Sequence, residues 1–346
     1  MKNLFLTLGL VTSILFLNSQ KATAQHTEQA LEYLSTMNET LEEMQGETWR
    51  YLKAVTRGKN ARKVERKREK LIEEIKAVKE EVSDMDSFMG DAEYKKATIE
   101  YLDLTYTVFR EDYDKILDME DIAEQSYDLM EAYLLAKEKA DQKLNDAFKI
   151  TKKAQEKFAE KHNINLVESE GDRRSQKIEK ASKAVEYYND VYLIFFKVFK
   201  QEAYVLDAVN KQDVNAIEQN NSSLAGMADQ GIAEVNELDD YDGDGRLKNA
   251  AVKALEFYKK ESENEFRKMV DFYIAKDNME RIKQSLESKK KRDRTQEDID
   301  KYNEAINKYN KAANEFNSLN DSANKGRSAA LENWNKSIED FFKEHA

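Results

Sequence analysis

The sequence predicts an all-α protein, two tandem up-down-up-down four-helix bundles. Three observations point there: missing proline, heptad seams near both ends, and a register that recurs 153 residues on. Proline is absent from 346 residues, where average usage of about 5% would supply roughly 17. Proline breaks helix interiors through its missing N–H and its ring clash, so its absence permits long helices. Charged residues make up 36% and hydrophobic ones 40%, the mix of amphipathic helices with solvated outer faces. The 15 Phe, 17 Tyr and 2 Trp are enough to build a core.

The first element reads as a leader. Met1-Lys2-Asn3 is a positive start, Leu4 to Leu17 is apolar, and Ala22-Thr23-Ala24 has the small-x-small cleavage pattern. Residues 1–24 are thus expected to be a signal peptide, with the mature chain starting at Gln25. The apolar run is shorter than the roughly 20 residues needed to span a bilayer. The expected product is exported, periplasmic or at the cell surface, and not membrane-spanning. Without cysteine, its core must hold the fold alone. Removing Lys2 and Lys21 takes the formal charge from −12 to −14, which argues against a nucleic-acid partner.

Residues 25–162 are the first four-helix unit. Leu34, Met37, Leu41, Met44, Thr48, Tyr51 and Val55 recur at steps of three and four, the seam of helices packing nearly parallel. Gly58-Lys59-Asn60 ends that helix. The second shows Leu71, Ile75, Val78 and Val82 on one face. Gly90-Asp91 resets the chain, and two more helices, turning near 118–128, lead to His162. Residues 163–174 are the linker, marked by Asn163-Ile-Asn165, Glu168, Glu170 and Gly171.

Residues 175–346 repeat the plan. Its first helix, about 175–210, carries Tyr187, Tyr188, Tyr192, Phe195, Phe196, Val198 and Phe199. Apolar residues on more than one face predict burial on more than one side, the position of a helix shared with the first copy. Asp213 opens the next helix, and Gly243-Asp244 resets the chain as Gly90-Asp91 does. Around these pairs, 85–99 and 238–252 align without a gap. Phe158…His162 matches Phe341…His345 at a larger offset, 183. The 30 extra residues fall inside an antiparallel hairpin, so each arm should gain about 15 residues, roughly 22 Å. That hairpin turns at 288–294, Thr295-Gln-Glu-Asp298 forms a variant capping box, and Ile299, Tyr302, Ile306 and Tyr309 hold it paired.

Asp240-Tyr-Asp242-Gly-Asp244-Gly245 has the start of an EF-hand loop, oxygen ligands at positions 1, 3 and 5 with glycine at 6. Position 12 is Ala251 where a bidentate Glu belongs, and copy one has Asp86-Ser-Phe-Met-Gly-Asp91 instead. Two readings follow: a tight turn with Gly243 at positive φ and Asp244 as N-cap, or a weak calcium site on Asp240, Asp242 and Asp244.

The hairpin tips are basic. Eight Lys/Arg fall between Arg57 and Lys70, and five between Lys289 and Arg294. Such tips suit an anionic surface, with solvated helix ends as the plain reading. His162 and His345 close copy-related helices, where a cation favours the dipole. No nucleophile, P-loop or Glu-x-x-His pattern occurs, so no cofactor is implied and an enzyme is not expected.

Two resemblances complete the reading. Tyr302-Asn-Glu-Ala-Ile-Asn-Lys-Tyr309-Asn resembles the end of the LemA family of membrane-anchored helical proteins, sharing coiled-coil grammar. A leader before a long helical chain, with Gly243-Asp244, Leu247-Lys248-Asn-Ala250 and Leu255-Glu-Phe-Tyr258, resembles an uncharacterised family of exported bacterial all-helical surface or periplasmic proteins. That family has no assigned activity and implies location and fold only. The expected function is a non-catalytic binding or scaffolding protein of the bacterial envelope, its partner a protein or envelope polymer. The alternative is a weak calcium-binding module on Asp240–Asp244.

Overall fold

A computed structural model describes residues 12–14, 21–56, 61–168 and 173–346. Most of the expected leader, the Gly58 break and Gly171 lie outside the described residues. The chain is all-α. Among the described residues ten α-helices run in order: α1 (Lys21–Thr56), α2 (Ala61–Asp84), α3 (Glu93–Thr107), α4 (Tyr113–Ala123), α5 (Tyr127–Lys161), α6 (Arg173–Lys211), α7 (Val214–Glu237), α8 (Arg246–Glu261), α9 (Arg267–Ser288) and α10 (Gln296–His345). The expected cleavage point after Ala24 falls inside the first turns of α1.

One short strand pairing lies outside the helices. Thr12–Ile14 (β1) pairs antiparallel with Leu166–Glu168 (β2), Ser13 opposite Val167. The physical cause is the way the chain leaves α5: Asn163 takes a left-handed φ of 57°, which stops the helix and releases an extended segment.

Two compact units are present, Met1–Asn189 with Glu339–Ala346, and Asp190–Ile338. The division falls inside α6 and α10 rather than at 163–174, because both helices are unbroken there. In the first unit α1 runs antiparallel to α5, with Tyr33 against Phe158 and Gln155 donating to Asn38 at 3.2 Å. Along α3 and α4, Tyr94, Tyr101 and Tyr113 meet Phe158, Phe148 and Asp141 of α5 in reverse order. The seam predicted for α1 is buried, Leu34, Met37, Leu41 and Met44 at 2% exposure or less.

In the second unit Phe195 of α6 stacks on Trp334 of α10 at 4.6 Å. Lys259 of α8 pairs with Asp229 of α7 at 2.6 Å. Helix α10 has 50 residues against 35 for α5, the longer arm expected of this hairpin. Its return arm meets α9 through Phe272 stacked on Phe316 at 4.7 Å. Ile299 on this arm is 39% exposed.

Several devices recur in both units. Phe88 bridges Asp91 and Tyr241 bridges Asp244, with Met89 and Gly90, Asp242 and Gly243, all at positive φ. Two successive positive φ values are the pattern of a type I′ turn, which glycine eases. A π turn joins α3 to α4 (Val108–Asp112) and α8 to α9 (Ser262–Phe266). A π turn withdraws backbone groups from the regular ladder, and each unit supplies a side chain from an earlier helix. Arg68 donates to the Phe109 carbonyl at 2.5 Å, and Asn221 to the Ser262 carbonyl at 2.9 Å, each pair 41 residues apart.

Candidate functional site

The Asp240–Asp244 loop is held by the protein's own cations. Lys248 Nζ lies 3.3 Å from Asp240 and donates to the Leu238 carbonyl at 2.8 Å. Arg246 grips both Asp244 oxygens, Nε at 2.9 and 3.1 Å and Nη2 at 2.7 Å. The Asp240 carboxylate closes over Gly245, whose added Cβ would lie 3.0 Å from it. Asp242 supplies the left-handed turn residue.

The N-cap assignment needs a correction. Helix α8 starts at Arg246 and its N-cap is Gly245; Asp244 reaches one residue further, accepting from the Arg246 amide at 3.0 Å. Asp91 does the same for the Glu93 amide at 3.3 Å. The shared role is to satisfy a first-turn donor that the helix itself cannot. This geometry favours turn and helix start over ion ligation.

His162 closes α5 and points Nε2 at Asp91 Oδ2, 3.1 Å away. Phe158 and Phe88 rings enclose it at 4.4 and 4.9 Å. Burial pushes Asp91 up, but bonds from Lys161, His162 and the Glu93 amide outweigh it and hold the carboxyl below its ordinary value. This arrangement ties the end of α5 to the start of α3.

The second unit holds a polar cluster that the sequence reading missed. Arg327 of α10 pairs through Nε with Glu202 of α6 and through Nη2 with Glu261 of α8. Both glutamates are 2% exposed or less. Beside them the Tyr258 hydroxyl and Glu261 Oε2 are buried without a hydrogen bond. Burial first, then the Glu202 charge, hold Glu261 well above the carboxylate range, despite the opposing pull of Arg327. Two carboxylates and one guanidinium leave one surplus negative charge, which a proton on Glu261 cancels; an unpaired buried charge costs several kcal/mol, about 3–5. A neutral cluster of this kind fixes helix register and holds no exposed reacting group.

The open polar feature is on the first unit. Between α1 and α2 lies a groove of about 480 Å³ lined by Arg50, Lys53, Lys63, Arg66, Lys67 and Lys70, with Ala54. Its cations come from two helix faces: Arg50 and Lys53 from α1, and Lys63, Arg66, Lys67 and Lys70 from successive turns of α2. Nearer the middle of the helices Glu39, Glu42, Glu43, Glu47 and Glu74 line an acidic hollow. Burial and Glu43 raise the Glu74 carboxyl. Four cations of the basic run thus line a concavity, and Arg50, paired with Glu47, stands between it and the acidic hollow. No helix among the described residues is long and apolar enough to cross a membrane. No protein-family model matches the chain, and no curated protein or solved structure does.

Proposed function

We infer that the chain is an exported, non-catalytic binding or scaffolding protein of the bacterial cell envelope, and that the α1–α2 groove receives its anionic partner. The observation that carries this reading is six cations converging on one concavity of a protein whose formal charge is −12. Positive charges gathered in one concavity raise the local potential and attract a partner of opposite sign. The buried cluster, by contrast, balances its charge within itself. The leader and the resemblance to exported helical proteins support the location. The recurrent turn, Asp contact and π-turn brace support descent of the two units from one duplicated bundle.

Retention of the full chain on immobilised polyphosphate at neutral pH tests the groove, because an acidic protein without a local basic site is excluded from a polyanion. Retention that Lys63→Glu/Lys67→Glu abolishes is the expected result; equal retention by that variant would refute the groove. Export is tested separately by mass spectrometry of the chain made in a bacterium. A product starting at Gln25 is expected, and one starting at Met1 would refute it.

A further inference from the structure

The α1–α2 groove does not stand alone. A second hollow of about 350 Å³ is lined by Trp49, Lys53, Lys177 and Lys180, with Glu344, His345 and Ala346 on its far side. Lys53 lines both. On α1, Trp49, Arg50, Lys53 and Ala54 fall three and four residues apart and so share a face. The two hollows therefore adjoin at one turn of α1, with Lys53 shared between them. Lys177 Nζ sits 6.0 Å over the Trp49 ring, and Lys180 reaches the Glu344 carbonyl at 3.0 Å.

We propose that these hollows form one extended track for a linear acidic polysaccharide, its carboxylate or phosphate groups on the lysines and a sugar ring on Trp49. The proposal rests on the groove reading above and adds the ligand class and the second station. Four features favour a glycan chain. The lining is concave at both hollows, whereas a bilayer presents a flat face. The cations at 177 and 180 come from a third helix, α6, so the charges are spread over α1, α2 and α6. The walls are largely the aliphatic stems of lysine and arginine, which suit the C–H face of a sugar ring between its charges. Trp49 is the one Trp, Tyr or Phe lining the two hollows, whereas single-stranded nucleic acid is held on successive aromatic platforms.

Calorimetry and tryptophan fluorescence of the full chain test the track, with polygalacturonate, neutral dextran, vesicles of phosphatidylglycerol with phosphatidylcholine, and poly(dT) as probes. Polygalacturonate should bind and perturb Trp49 emission; dextran should not bind. Lys177→Glu/Lys180→Glu and Lys63→Glu/Lys67→Glu should each weaken binding by about tenfold, two contacts of somewhat under 1 kcal/mol each. Trp49→Phe should remove the emission change and weaken binding. Lys177→Gln/Lys180→Gln, the milder pair, guards against misfolding, with circular dichroism confirming unchanged helix content.

If only the Lys63/Lys67 pair matters, the track falls and the α1–α2 groove stands. If vesicles or poly(dT) bind more tightly than polygalacturonate, the glycan assignment is overturned. If no polyanion binds, both readings fall.

Discussion

Replacing Arg327 with methionine should expose how the second unit is held. The guanidinium is the counter-charge for Glu202 and Glu261, which are 2% and 1% exposed. Removing one partner of a buried ion pair costs about 3–5 kcal/mol, because the remaining charge is left without solvent or partner. Glu261 is held in its protonated form near neutral pH, so Glu202 carries the uncompensated charge. Adding Glu202→Gln should recover most of the loss, a coupling of about 2 kcal/mol or more between residues in contact. Urea unfolding followed by Trp334 fluorescence, in a Trp49→Phe background, reports this unit locally, since Trp334 stacks on Phe195. A cost below about 1 kcal/mol at pH 8, or additive losses in the double variant, would show that the cluster does not bear on stability as reasoned.

Three further outcomes follow from the same geometry. Glu261 is raised to about 9 in the folded chain, so its contribution is fully present below the ordinary glutamate value and is lost as pH rises through the folded one. Stability of the second unit should fall across that window by at most about 1.4 kcal/mol per pH unit; Glu261→Gln should flatten the dependence, and an unchanged slope in its urea midpoints would refute the assignment. Asp91→Ala and Asp244→Ala should each lower stability by about 1 kcal/mol, equally with and without millimolar calcium; a calcium-induced rise in melting temperature that Asp242→Ala abolishes would restore the ion-binding reading. Asp298, bonded by Lys289, the Thr295 amide and the Thr295 hydroxyl, is lowered to about 2; a carbon-13 titration should place it well below an ordinary aspartate, and Lys289→Met should bring it back up.

The features most legible in sequence are those set by local spacing. Leu34, Met37, Leu41 and Met44 mark a buried seam because a step of three or four keeps one face inward. Gly90 and Gly243 mark turns because both are at positive φ, which glycine adopts without strain. Asp213 opens α7 and Thr295 with Asp298 opens α10 through the side-chain bonds their positions allow. The buried cluster is different, since its members lie on three helices and 36% of the chain is charged. A signal was nevertheless present. Glu202 falls in step with the buried Phe195, Val198 and Val205, Glu261 with the buried Leu247, Ala251, Ala254 and Tyr258, and the half-buried Arg327 with the buried Ala323 and Trp334. A charge in an apolar seam needs a partner in another seam, and Arg68 in step with Leu71 and Ile75 says the same of the first unit. The π turns had no such signal, because one residue of slack leaves the hydrophobic spacing on either side intact. Lys177 and Lys180 were legible as charges but not as neighbours of Trp49, a relation that depends on how α6 packs.

The salt dependence of polygalacturonate binding by the full chain tests the central claim most directly. Binding by a track of lysines and arginines should weaken steadily as salt shortens the screening length from about 10 Å at 0.1 M, and the Lys63→Glu/Lys67→Glu variant should show a shallower dependence. Affinity indifferent to salt, or a slope unchanged by that variant, would contradict the assignment of the α1–α2 groove as the contact surface.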